Sequence, residues 1–229
     1  MATIVQINAD TWRFEDGFVR FFLLVGEERA VMIDSGVSCP DAAALARTLT
    51  DKPITLLNTH ADGDHTSGTD GFREIRIHAS DYFGCGLKDR FPDTVLVKIE
   101  DGDVIDLGNR PLKVIHIPGH TEGSVAILDE KCRALYAGDT VQNGNIYMFG
   151  KHRCPEALEV SLEKLIEMSG QYDCIYASHG DYLLPGDYVS KVKAAWMQVQ
   201  NNEIAFEVVD LHGFNVKLYS ADACGFYVE

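Results

Sequence analysis

Short apolar runs separated by polar turns recur along the chain, and two stretches repeat one order of elements. Residues 21–25 (Phe-Phe-Leu-Leu-Val) pass through a polar turn at 26–29 into 30–33 (Ala-Val-Met-Ile), and residues 124–128 pass through 129–131 into 133–137. Each pair reads as a β-hairpin whose second strand ends in an aspartate and a small hydroxyl residue, Asp34-Ser35 and Asp139-Thr140. A helical stretch follows each hairpin, at 40–49 and at 155–169. The latter has Leu158, Leu162, Leu165 and Ile166 at helical spacing and Gly170 as its stop. Each helix leads into a short apolar strand that ends in histidine, 54–60 and 174–179. The repeat therefore predicts an α/β chain of two sheets packed face to face with helices outside. Asp34, His60, Asp139 and His179 fall where strands run out, the edge at which loops are free to carry function.

Between the halves lies a β-rich insertion, with strands expected near 75–77, 95–99, 103–106 and 112–117. After His179, residues 186–202 read as a helix carrying Val189, Val192, Ala195, Trp196 and Val199. The tail alternates as short closing strands around 204–209, 215–219 and 226–228. No linker or composition shift divides the 229 residues, so one domain over 1–229 is expected.

Composition narrows the partners. The apolar share is 46%, an ordinary globular value, and no apolar run is long enough for a bilayer, so no membrane span is expected. The formal charge of −15, with 35 acidic and 20 basic residues and no basic cluster, argues against nucleic acid. The first residues lack a basic segment leading into a long apolar one, which sets a cytoplasmic location as the expectation. Six scattered cysteines, none in a C-x-x-C pair, read as reduced thiols. A small-molecule substrate is the expected partner, and a homo-oligomer is left open.

The sharpest chemical signal is Thr59-His60-Ala61-Asp62-Gly63-Asp64-His65-Thr66-Ser67-Gly68, with four potential ligands within six residues. Interleaved small residues let the backbone curl, and imidazole nitrogen with carboxylate oxygen is what a divalent ion takes. This cluster resembles the H-x-H-x-D-H motif of the metallo-β-lactamase superfamily. Four further motifs follow the family order: Asp34 in Ile33-Asp34-Ser35-Gly36, His120 in Pro118-Gly119-His120-Thr121-Glu122-Gly123-Ser124, Asp139 in Gly138-Asp139-Thr140, and His179 in Ser178-His179-Gly180. The resemblance covers roughly residues 17–182 and implies the four-layer αββα sandwich.

Carried over residue by residue, the resemblance implies two divalent ions. One would be held by His60 and His120, with Asp62 in place of the usual second histidine. The other would be held by Asp64, His65 and His179, with Asp139 bridging. Asp64 and Asp139 would be the catalytic carboxylates, a metal-bridged hydroxide the nucleophile, and Asp34 a support of the metal loop from outside. Zinc is the ion the family implies. Asp62 adds a negative charge and a hard oxygen, leaving +1 where the usual motif leaves +2, which tilts preference toward manganese or iron. His116 is read either as another outer support or as a strand-end histidine, and His78, His152 and His212 as surface residues. Lys151, His152 and Arg153 could meet an anionic substrate group or form a solvated turn. Tyr147, Met148, Phe149 and Tyr182 could wall a pocket or merely pack.

The function that follows is hydrolysis of a small ester, thioester or lactone, as in the glyoxalase II-like members. Residues 141–146 (Val-Gln-Asn-Gly-Asn-Ile) depart from that enzyme's substrate-binding segment. The alternative is a diiron centre handling oxygen, peroxide or nitric oxide, as in the flavodiiron branch, where a glutamate replaces the same histidine. A metal-dependent binding module without catalysis is a third reading. Aspartate at position 62 also resembles the competence-related DNA-uptake branch, against which the charge argues.

Overall fold

Strands whose successive side chains are all apolar must be covered on both faces, and this requirement builds the architecture. In the computed structural model, which describes residues 2–229, the first sheet runs in chain order through seven strands. They are β1 (Thr3–Asn8), β2 (Thr11–Asp16), β3 (Val19–Val25), β4 (Ala30–Ile33), β5 (Ile54–Leu57), β6 (Glu74–Ile77) and β7 (Val95–Lys98). The first four are antiparallel neighbours, and β4 to β7 are parallel. The chain then changes sheet through β8 (Val104–Asp106), β9 (Pro111–His116), β10 (Val125–Asp129) and β11 (Ala134–Tyr136). After β12 (Asn145–Tyr147) leaves for a third sheet, β13 (Cys174–Tyr176) and β14 (Leu183–Pro185) complete the second, whose order is β14-β13-β11-β10-β9-β8.

Alternation sorts each central strand between two cores. Phe22 and Leu24 of β3, Val31 and Ile33 of β4, and Val125 and Ile127 of β10 fill the space between the sheets together with Tyr136. The intervening Phe21, Leu23 and Met32 face outward, under α1 (Ala42–Arg47), and pack with Tyr82 of α3 (Ala79–Gly84) and Leu87 of α4 (Leu87–Arg90), while the single turn α2 (Gly63–Thr66) follows β5. On the far side, Ala126, Leu128 and Leu135 meet Leu158, Leu162 and Leu165 of α5 (Pro155–Glu167) and Val192 and Trp196 of α6 (Tyr188–Gln200). Helix, sheet, sheet and helix form the expected αββα sandwich.

The two predicted halves superpose as topology: β3-β4-α1-β5 in one sheet and β10-β11-α5-β13 in the other, with β4–β5 and β11–β13 both parallel. The insertion is not one unit. Its strands at 74–77 and 95–98 extend the first sheet, whereas those at 104–106 and 111–116 begin the second. Two short helices, α3 and α4, occupy the stretch between β6 and β7, where the pattern indicated only strands. The strands β1 and β2 also lie outside the sequence expectation. The tail forms β15 (Phe206–Leu211), β16 (Phe214–Ser220) and β17 (Gly225–Val228), and β17 pairs in parallel with β12 in the order β12-β17-β16-β15. Among the described residues, no helix is long and apolar enough to cross a membrane, and all six cysteines are unbridged.

Candidate metal centre

Both sheets deliver their strand ends to one edge. There the loops after β4, β5, β11 and β13, and the loop between β9 and β10, converge. The first support is Asp34, at φ +62 directly after β4, a left-handed backbone that non-glycine residues seldom adopt. Its carboxylate accepts the Thr59 backbone N–H at 2.8 Å, the Thr59 hydroxyl at 2.8 Å and the His65 Nδ1–H at 2.9 Å. Opposite Thr59, Gly138 takes φ +51, and a β-carbon there would stand 2.8 Å from Thr59 Oγ1, so glycine is required in front of Asp139. The loop after Asp34 is pinned to the end of β2. Asp16 Oδ2 accepts from Val37 N at 2.9 Å, Ser38 N at 2.7 Å and Cys39 N at 3.1 Å, and the Ser38 hydroxyl binds the other oxygen. Burial opposes the Asp16 charge, yet the bonds from Ser38, Val37 and Cys39 hold its carboxyl below the ordinary range.

Six of the seven predicted ligands fall into two groups. His60, His120 and Asp139 bring one ligand atom each within 4.8 Å of the others, and so do Asp64, His65 and His179. Asp139 faces both: Oδ1 stands 3.1 Å from His65 Nε2 and 3.3 Å from His179 Nε2, and Oδ2 stands 3.6 Å from His120 Nε2. Asp64 Oδ2 lies 3.3 Å from His179 Nε2 and 3.7 Å from His65 Nε2.

Asp62 lies beside the His60 group, its Oδ2 3.2 Å from His120 Nε2 and 3.7 Å from His60 Nε2. Both of its oxygens are also gripped by Arg153, at 3.1 Å from Nη1 and 2.6 Å from Nη2. Arg153 is therefore neither a solvated turn residue nor a free anion receptor.

The four histidines share one orientation. His65 Nδ1 donates to Asp34, His120 Nδ1 to the Tyr147 carbonyl at 2.9 Å, and His179 Nδ1 to the Phe18 carbonyl at 2.8 Å. The Thr59 hydroxyl gives its only proton to Asp34, so at 3.0 Å it accepts from His60 Nδ1. On this hydrogen-bond assignment every Nδ1 carries a proton and every Nε2 faces inward, where a bound cation would take its lone pair. His60 Nε2, His120 Nε2 and Asp139 Oδ1 are buried with no hydrogen-bond partner among the described residues. Buried polar atoms are seldom left this way, and the two imidazole nitrogens, grouped with an Asp139 carboxylate oxygen, fit a cation.

The electrostatics agree. Burial opposes the Asp139 charge, but His179 and His65 hold its carboxyl well below the ordinary range. Burial likewise opposes charge on His179, but Asp139 and Asp64 raise it to about 10, and Asp139 with Asp34 raises His65. Burial together with His65 and His120 pushes His60 well below its usual value. The carboxylates thus create a strong demand for positive charge at the centre of the cluster.

Asp81 of α3 escaped the sequence reading altogether. Fully buried, it accepts from Ala61 N at 2.9 Å, Thr121 Oγ1 at 2.9 Å and Gly123 N at 2.7 Å, tying the His60 loop to the His120 loop. His116 touches none of the seven: it bonds the Glu122 carbonyl at 2.9 Å and stacks on His78 with ring centres 4.2 Å apart. His78 is consequently half-buried, not a surface residue. Above the cluster opens a cavity of about 1120 Å³, walled by Phe18, Tyr147, Phe149, Phe214 and Tyr227, with Lys151 and His212 at its lining. Met148 packs instead in the core, and Tyr182 lies under the Arg13 guanidinium, outside the cavity.

Comparison with known proteins agrees with this geometry. The family model described as metallo-beta-lactamase superfamily matches residues 15–196. Among curated proteins, the hydroxyacylglutathione hydrolase of Francisella tularensis is 30% identical over 190 residues, covering 80% of this chain and 72% of that protein. The acyl-coenzyme A thioesterase MBLAC2 of Gallus gallus is 25% identical over 215 residues, covering 74% and 78%. Among solved structures, a metallo-beta-lactamase from Pontibacter korlensis aligns with TM-score 0.72 at 15% identity, covering 86% of this chain and 99% of that one, a likeness of fold. The chain belongs to the metallo-β-lactamase superfamily.

Proposed function

We propose that the protein is a metal-dependent hydrolase of small acyl thioesters, with esters and lactones as chemically related substrates. The observation that carries this reading is the concerted orientation of His60, His65, His120 and His179, whose Nε2 atoms converge with three carboxylates. His60, His120 and Asp139, with Asp62 beside them, would hold one divalent ion; Asp64, His65 and His179 would hold the other, and Asp139 would touch both. Ions so held supply Lewis acidity and an ionised water at neutral pH. The residues themselves supply the geometry. Asp34, Thr59 and the carbonyls of Tyr147 and Phe18 fix the imidazole planes, so that the ligands need not reorganise during reaction.

Substrate class rests on the relatives and on the cavity. Two curated relatives are named for thioester substrates, one carrying coenzyme A and one glutathione. The aromatic wall of Phe18, Tyr147, Phe149 and Phe214 would receive an acyl group, leaving the carbonyl over the histidine cluster. Of residues 141–146, Gln142 and Asn145 line the cavity, and the segment is also held by its own bonds. Val141 is buried, Gln142 donates to the Asn145 carbonyl, and Asn143 binds Asp181. The extra charge of Asp62, which would favour a redox diiron centre, is offset by the guanidinium of Arg153.

The test is a panel of acyl-coenzyme A, acylglutathione, ester and lactone substrates with the metal-loaded protein. Turnover of thioesters that vanishes with a chelator and in Asp139→Ala supports the assignment. A protein with two bound ions that hydrolyses nothing on the panel overturns it.

A further inference from the structure

Arg153 stands in a loop built to hold it. Gly150 at φ +92 and His152 at φ +68 turn the chain between β12 and α5. The segment is then stitched to the His120 loop on both sides of the arginine: Glu122 N donates to the His152 carbonyl at 3.0 Å, and Cys154 N donates to the Gly119 carbonyl at 2.9 Å. The guanidinium, only 12% exposed, presents two parallel N–H groups to the two oxygens of Asp62 across 91 residues of sequence. Such a fork fixes both the plane and the rotation of a carboxylate.

We propose that Arg153 is a positioning residue for the His60 group, which makes Asp62 a one-oxygen donor of roughly imidazole charge and so keeps that group selective for zinc over harder ions. The inference rests on the metal-centre part of the proposed function. With the fork in place, Asp62 Oδ2, held by Nη2, is the oxygen that faces His60 Nε2 and His120 Nε2, while Oδ1 is held by Nη1. The carboxylate cannot swing to offer both oxygens to one ion, the mode that oxygen-preferring cations exploit. Counted as a pair, Asp62 and Arg153 carry no net charge, like the neutral histidine usual in the motif. Three carboxylates and one guanidinium against two divalent ions leave +2, not the +1 counted from the carboxylates alone.

A consequence separates this role from simple packing. Restoring the usual motif by Asp62→His should harm the site, because Arg153 is then an unpaired cation beside the ion. Removing that cation as well should repair it.

The experiment is titration of the chelator-stripped protein with Zn²⁺, Mn²⁺ and Co²⁺, reading affinity and stoichiometry by calorimetry and the ligand field from the visible Co²⁺ spectrum. Arg153→Met is expected to raise the Mn²⁺-over-Zn²⁺ preference of one of the two ions about tenfold, the scale on which outer partners act on metal affinity, with the other ion unaffected. Arg153→Lys keeps the charge but not the fork, and falls between. Asp62→His should lose about tenfold in affinity for that ion, and Asp62→His with Arg153→Met should recover it. Because Asp62→His leaves Arg153 intact, it decides the matter even where Arg153 variants fold poorly. Two ions bound with unchanged preference and Co²⁺ spectrum in Arg153→Met, or tighter binding in Asp62→His alone, overturn the inference. A native protein that binds no ion overturns it together with the metal centre. A native protein that binds two ions but hydrolyses no thioester overturns only the hydrolase reading.

Discussion

The His60 group and the His65 group are built from the same kinds of side chain but are secured differently. In the His65 group the support comes from inside the first sheet: fully buried Asp34 grips His65 through Nδ1 and holds Thr59 at the same time. In the His60 group the support comes from across the molecule. Arg153 reaches Asp62 from the loop before α5, Tyr147 of β12 takes the His120 proton, and Asp81 of α3 ties the two ligand loops together. The first arrangement is local to a strand end and leaves little room for variation. The second depends on three segments meeting, and there, under the proposal above, Arg153 compensates the charge of Asp62.

The sharpest way to break the symmetry between the groups is to remove what they share. Asp139→Ala takes an oxygen from both, and thioester turnover is expected to fall by at least about a thousandfold, with ions lost from both groups in elemental analysis. Asp34→Ala strikes the His65 side directly and the His60 side only through the Thr59 hydroxyl. It leaves the His65 Nδ1–H and the Thr59 donors without an acceptor, and should weaken one of the two ions by about 10- to 100-fold while the other, reached only through Thr59, loses less. Asp81→Ala acts on the opposite side without touching a ligand. Three buried donors lose their acceptor, so denaturant unfolding should show a loss of about 2–3 kcal/mol.

The smallest effect is expected at Asp16, under the loop that follows Asp34. Its folded-state carboxyl sits below the ordinary value, so its contribution is fully present above the unfolded pKa of about 3.9 and fades as pH falls through the folded value. Asp16→Asn should therefore lower stability near neutral pH and narrow its gap to the native protein in acid, as followed by unfolding midpoints. A gap that widens on acidification would contradict the sign.

The same contrast explains what could be read from the chain. Asp34, His60, Asp139 and His179 stand at the ends of apolar runs, and a run that must be buried on both faces marks its own end. The cluster from His60 to His65 and the Gly-His-Thr segment at 119–121 announce themselves by composition. The outer supports do not. Arg153 follows Lys151 and His152 in what looks like a charged turn, and its partner lies 91 residues away. Asp81 sits in a stretch where four-residue and six-residue helices are too short to leave a period. The strands β1 and β2 escaped for a related reason: β1 is largely half-buried or exposed, so its alternation carries little apolar signal.

Crystals of the protein loaded with zinc, examined by anomalous scattering at the zinc edge, offer the most direct measurement. The account predicts two peaks near the strand ends. One should lie about 2.0–2.2 Å from His60 and His120 Nε2, the other at the same distance from His65 and His179 Nε2, with an Asp139 oxygen reaching each. No peak there, or ions bound only elsewhere with those four Nε2 atoms hydrogen-bonded to protein or water, would contradict it.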